Sequence, residues 1–210
     1  MSKCDLRNAW FALWRRLGAN GDAGPVYEDL LLRYSEPGRA YHTLTHIEHC
    51  VTELGDVSEP ATNLDTIEFA LWFHDAVYDT KVKDNEERSA ALAREVARSA
   101  TLSDSFGDLI TGLILATKHA APPSALNEQI LVDIDLLILG QSRLRFDEYE
   151  RQIRAEYSWV PAEAFAKGRS AILSSFLARP TIYSTEFFHS KYEKSARENL
   201  ARSITQLIEA

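Results

Sequence analysis

Two adjacent ionisable residues, His74 and Asp75, stand inside the apolar stretch Phe69-Ala-Leu-Trp-Phe-His-Asp-Ala-Val-Tyr78. An uncompensated carboxylate in such surroundings is costly, and a bound metal ion is one of the few things that offsets it. Upstream, His42-Thr-Leu-Thr-His46 sets two imidazoles one helical turn apart, a spacing by which one helix offers both to a single ion. His49 extends the same face if the helix begins early enough. Downstream, Asp133-Ile-Asp-Leu136 again places carboxylates in an apolar run. Together these segments read as a two-histidine, two-aspartate metal site assembled from three helices. An isolated pair of histidines at this spacing more often caps a helix or satisfies a core polar group. The His-Asp dipeptide and the distant aspartates shift that balance. Mixed nitrogen and oxygen donors suit Mn, Fe, Co, Ni or Zn, and two imidazoles disfavour Mg.

Around this set lie residues suited to a phosphorylated substrate. Arg39 precedes the first histidine pair and is a candidate phosphate contact, as is Lys118. His119 is a candidate pocket residue or ligand to a second ion. A cation at a helix C-terminus also has a purely structural explanation. Glu86 and Glu87 read either as acceptors for the ligand histidines or as a capping box on a solvated helix. His49 and His189 read as structural, and Arg143, Arg145, Arg151 and Arg154 as a solvated helix face. Trp10 and Trp14, one turn apart on an apolar face, read as core. There is no glycine-rich phosphate loop and no Gly-x-Ser-x-Gly elbow.

Net charge is −8, which argues against nucleic-acid polymers and anionic membranes as partners. A small phosphate ester stays compatible, because a local ion reverses the field in a pocket. Cys4 and Cys50 suggest no disulfide framework. No apolar run reaches the length of a membrane span and no signal-peptide core is present, so the cytoplasm is the expected compartment. The 210 residues fit a single domain.

The elements that must hold these side chains are helices throughout. Apolar periodicity, caps and breakers predict helices over Leu6–Leu17, Val26–Tyr34, Leu44–Leu54, Asp65–Ala76 and Asp84–Ala100. Others follow over Phe106–Lys118, Glu128–Leu139, Leu144–Tyr157, Pro161–Ala178 and from Ser184 or Thr185 to Ile208. Asp84-Asn-Glu-Glu87 is the expected capping box, and Gly140 the expected C-terminal end of its helix. No alternating strand pattern of useful length occurs. The fold class is all-α, a single domain of about ten helices.

A histidine, then a His-Asp pair, then a distant aspartate on helices resembles the HD-domain metal-dependent phosphohydrolase superfamily, over about residues 39 to 200. Ala40-Tyr-His-Thr-Leu-Thr-His46 is similar to the AYHNxxHAxDV string of the cyclic nucleotide phosphodiesterases. His74-Asp-Ala-Val-Tyr-Asp-Thr80 is similar to the HDVVEDT string of the guanosine tetraphosphate hydrolases. Tyr78 stands where that string has glutamate, a departure that argues against that particular substrate. The ordered set looks most like the small stand-alone branch of predicted HD phosphohydrolases. The resemblance implies an HD-type helical bundle whose metal site is built from about 39–136 and completed by helices over 142–209. It implies His46, His74, Asp75 and Asp135 as metal ligands. Asp133 competes for the fourth place and otherwise supports the ligands from behind. Asp135 is preferred because Asp-Leu follows the family string, and residues i and i+2 of a helix point about 200° apart. It further implies His42 as general acid and Asp79 as the residue that orients the attacking water. With His119 the only histidine between the His-Asp pair and the last aspartate, one metal is expected. The implied activity is hydrolysis of a small phosphate ester, a nucleotide among the candidates, by a metal-activated water. The alternatives are an HD-fold metal enzyme of other chemistry, a hydratase or oxygenase, and a non-catalytic helical module with a structural metal.

Overall fold

The computed structural model describes residues 5–57 and 63–209. Cys4 lies outside the described residues. The elements are α1 (Leu6–Arg16), α2 (Gly24–Arg33), α3 (Leu44–Asp56), α4 (Leu64–Phe73), α5 (Asn85–Ser99), α6 (Asp104–Ala116) and α7 (Leu126–Asp135). A 3-10 helix, η1 (Leu136–Gly140), precedes α8 (Arg143–Glu156), α9 (Ala162–Leu177) and α10 (Glu186–Glu209). There is no strand among the described residues, and the all-α class and the ten α-helices agree with the periodicity. No described helix is long and apolar enough to cross a membrane. By its contacts the chain falls into two compact units, Met1–Val132 and Asp133–Ala210, with the boundary inside α7.

In the first unit α4 is the central helix, packed by α1, α3, α5 and α6. Every side chain from Thr66 to Phe73 is buried. Asn63 caps its start, the side-chain carbonyl accepting the Thr66 amide at 3.2 Å. The Trp10 ring lies 5.5 Å from Trp14 and 5.4 Å from Trp72, and its indole N–H donates to the Ala23 carbonyl. The α1 tryptophans are therefore core, as their spacing suggests.

Three local departures from the sequence expectation bear on the site. First, α4 stops at Phe73 rather than Ala76. The Val77 amide donates to the Ser89 hydroxyl, which returns a bond to the Val77 carbonyl, and Arg39 takes the carbonyls of Asp75 and Ala76. With these backbone groups held by side chains, the helix gives way to a turn, and His74 and Asp75 stand at its end. Second, α3 begins at Leu44, as predicted, with Thr43 in extended conformation, so His42 sits on the preceding loop and the two histidines are not offered by one helix face. Third, Asp84 makes no side-chain capping bond. The neighbouring Asn85 amide instead grips the Asp79 backbone, accepting its N–H at 3.0 Å and donating to its carbonyl at 2.9 Å.

In the second unit η1 packs on α8 and α10, and α9 on α10. The single helix expected over Glu128–Leu139 tightens to 3-10 geometry at Leu136. There the Tyr183 hydroxyl takes the Leu136 carbonyl, and the Asn199 amide takes those of Leu139 and Gln141. Gly140 ends the helical run as expected, without a left-handed φ. It is required because a Cβ there would lie 2.5 Å from the Tyr192 Cβ.

Candidate metal centre

His46 rises from the first turn of α3, on the side of the helix that Ile47 and Cys50 also bury. His74 is the C-cap of α4, 1% exposed. Its Nδ1 lies 2.8 Å from the Leu71 carbonyl oxygen. A carbonyl only accepts, so Nδ1 carries the proton and the neutral ring presents its Nε2 lone pair on the other side. That Nε2 faces His46 Nε2 at 3.1 Å and Asp75 Oδ2 at 3.0 Å, while His46 Nε2 lies 3.7 Å from the same carboxylate oxygen. Three acceptor-bearing atoms thus converge on one point. A single proton among them serves only one of these contacts at a time. A cation serves all three.

The spacing fits an ion. Donors about 2.1 Å from a transition metal and at right angles to each other lie about 3 Å apart. The Nδ1–H bond to Leu71 is the kind of outer contact that fixes tautomer and ring orientation in metal-ligating histidines. Asp135, the last residue of α7, completes the group. The ligand atoms of His46, His74, Asp75 and Asp135 all lie within 4.8 Å of one another. These four side chains could hold a metal ion.

Asp133 is not in this group. Its carboxylate accepts the Ser184 amide at 2.9 Å, the Thr185 amide at 2.8 Å and the Thr185 hydroxyl at 2.8 Å, which anchors the start of α10. Burial pushes this carboxyl up to about 6 against the pull of those donors. The half-turn geometry that separates i from i+2 thus gives the two aspartates of α7 different partners.

The remaining candidates are distributed as follows. His42 is half-buried, its ring stacked 4.3 Å from the Tyr78 ring and 6.1 Å from that of His46. Asp79 is exposed, and its carboxylate accepts the Lys81 amide at 2.9 Å, closing a turn of its own. Lys118 Nζ donates to Glu87 at 2.5 Å and lies 3.9 Å from Glu86, so these three form an ion-pair cluster between α5 and the end of α6. His119 lies three residues past α6, in the left-handed region at φ 53°. Arg39 is turned inward, and all five of its N–H groups meet protein acceptors, which leaves none for a phosphate.

Two neighbours of the group went unremarked in the sequence. Cys50 is buried, with Sγ 3.7 Å from His46 Nε2, and its i+4 spacing from His46 was the available signal. The Leu71 carbonyl, three residues before His74, is one of the last-turn carbonyls that a helix leaves open to other donors.

No family model, curated protein or solved structure matches this chain.

Proposed function

We propose that this protein is a metal-dependent phosphohydrolase of the HD type, acting on a small phosphate ester, with one divalent transition metal held by His46, His74, Asp75 and Asp135. The observation that carries this reading is the convergence of the His74 and His46 Nε2 atoms and Asp75 Oδ2, with the His74 tautomer fixed from behind. The ion, when bound, supplies Lewis acidity that lowers the pKa of water and polarises a phosphoryl oxygen. The chain's own contribution is positional and protonic. His46, His74 and Asp75 present their donors without rearrangement. Water attacks phosphorus as the ester P–O bond breaks, a protonated His42 gives a proton to the leaving oxygen, and the proton shed by the attacking water passes through the phosphate product to restore the imidazole. Tyr78, stacked on the His42 ring, holds that imidazole at the rim of the site. Arg39 takes no direct part, because its donors are engaged in the fold, while Asp79, whose Oδ1 closes a turn with the Lys81 amide, keeps the role of orienting the attacking water.

Metal analysis by mass spectrometry tests this reading, on the wild type and Asp75→Ala purified without added metal or chelator. The expected result is about one transition metal per chain in the wild type and a loss of at least about tenfold in the variant. Phosphate release from a panel of sugar phosphates and nucleotides should fall with it. Equal metal content in both proteins would overturn the site. Metal bound with no phosphate release from any panel member would favour a structural ion. Oxygen-dependent turnover would favour other HD-fold chemistry.

A further inference from the structure

We infer that Arg39 is the positioning residue of the metal centre, fixing the His74–Asp75 turn against the loop that carries His42. The inference rests on the reading of His46, His74 and Asp75 as metal ligands. The guanidinium side chain is 2% exposed, which is tolerable for a permanent cation only if every donor is met. Every donor is met. Nη1 donates to the Asp75 carbonyl at 2.7 Å and the His42 carbonyl at 3.1 Å. Nη2 donates to the Ala76 carbonyl at 3.2 Å and to Glu36 Oε2 at 3.1 Å, and Nε donates to the same Glu36 oxygen at 3.2 Å. The plane is flanked by Tyr34 and Tyr78, with the guanidinium carbon 5.2 Å and 5.4 Å from the two ring centres.

One side chain thus joins three segments that the sequence keeps apart: the turn after α2, the loop before α3 and the turn after α4. The two carbonyls it holds after α4 belong to Asp75 itself and to the next residue, so the guanidinium sets the direction in which the Asp75 side chain leaves the backbone. Tyr78 packs on both Arg39 and the His42 ring, which couples the proton donor to the same clamp. A lysine keeps the charge but offers three donors from a single atom and no plane, so it cannot hold these carbonyls and Glu36 at once.

The test uses the full chain, stripped of metal and titrated with Co(II), read by its visible d–d absorption alongside the urea midpoint of the metal-free proteins. Wild type, Arg39→Lys, Arg39→Ala, Glu36→Gln and His46→Ala are compared. The wild type should bind Co(II), and His46→Ala should not. Arg39→Lys should bind about 10- to 100-fold more weakly with a displaced band, the range typical when a ligand's outer partner is lost. Guanidinium, added to Arg39→Ala far below unfolding concentrations, should restore the wild-type band. A merely structural arginine would move the urea midpoint and leave the band where it was. Wild-type binding with an identical titration and band in Arg39→Lys would overturn the positioning role alone. Absence of Co(II) binding in the wild type would overturn the metal reading and this inference together. If both Arg39 variants fail to fold, Glu36→Gln decides. It loosens one side of the clamp, so a weaker Co(II) titration with a shifted band supports the role and an unchanged one overturns it.

Discussion

The orientation of a single imidazole is set here by one main-chain oxygen. Because Leu71 accepts from His74 Nδ1, the ring is oriented so that Nε2 faces Asp75 Oδ2 at 3.0 Å. A tension between burial and pairing exists at Glu68. This carboxylate is buried on α4 and paired with Arg16 at 2.5 Å, yet burial pushes its pKa up by more than the guanidinium pulls it down. A folded carboxyl that holds its proton more tightly than the unfolded one adds stability that is fully present below the unfolded value of 4.5. That stability is lost as pH rises through the raised folded value. Glu68→Gln has no such loss. Urea unfolding of the two proteins at a series of pH values from about 4 upward should therefore show the variant gaining on the wild type as pH increases. A difference that stays flat, or that moves toward the wild type, would show that the Arg16 pair outweighs desolvation.

At the scale of the helix, the informative positions are ends. α4 stops where Arg39 and Ser89 capture its following backbone, and α7 tightens where Tyr183 and Asn199 capture the carbonyls of η1. Gly140 belongs to the same device, since it lets η1 approach the α10 backbone at Tyr192. Gly140→Ala should destabilise the protein by about 1–3 kcal/mol, as overpacking of a tight contact does, read as a lower urea midpoint with the slope unchanged. Helix existence was legible from apolar periodicity, and most boundaries fell within a few residues. What stayed illegible were features set by tertiary contacts. Asp84 looks like a cap in the sequence, but Asn85 makes the bonds instead. Arg39 has the chemistry of a phosphate contact, and only the fold reveals that its donors are occupied. Helical phase shows only that Asp133 and Asp135 diverge, and the choice of Asp135 rests on the family resemblance, because the partners of Asp133, at Ser184 and Thr185, lie 51 and 52 residues further on.

For the whole molecule, the proposed ion is a ligand that binds the folded chain and not the unfolded one. It should therefore stabilise by mass action, by about 2.7 kcal/mol at a free concentration 100 times the dissociation constant. For a chain of this length that corresponds to roughly 5–10 °C in melting temperature. Calorimetry of the chelator-stripped protein, with and without added Mn(II), Co(II) or Zn(II), should show that rise in the wild type and none in Asp75→Ala. Equal rises in both would place the binding elsewhere on this acidic surface.

The donor set also has a consequence for which oxidation state it can keep. Two neutral imidazoles and two carboxylates sum to two negative charges, so a divalent cation closes the group to neutrality among the apolar residues that pack around His46 and His74. A monovalent ion would leave a buried anion, and a trivalent one a buried cation, each at the cost of isolated charge in a low-dielectric interior. Under the proposed assignment, the charge balance of these four side chains would select a divalent ion over a monovalent or trivalent one.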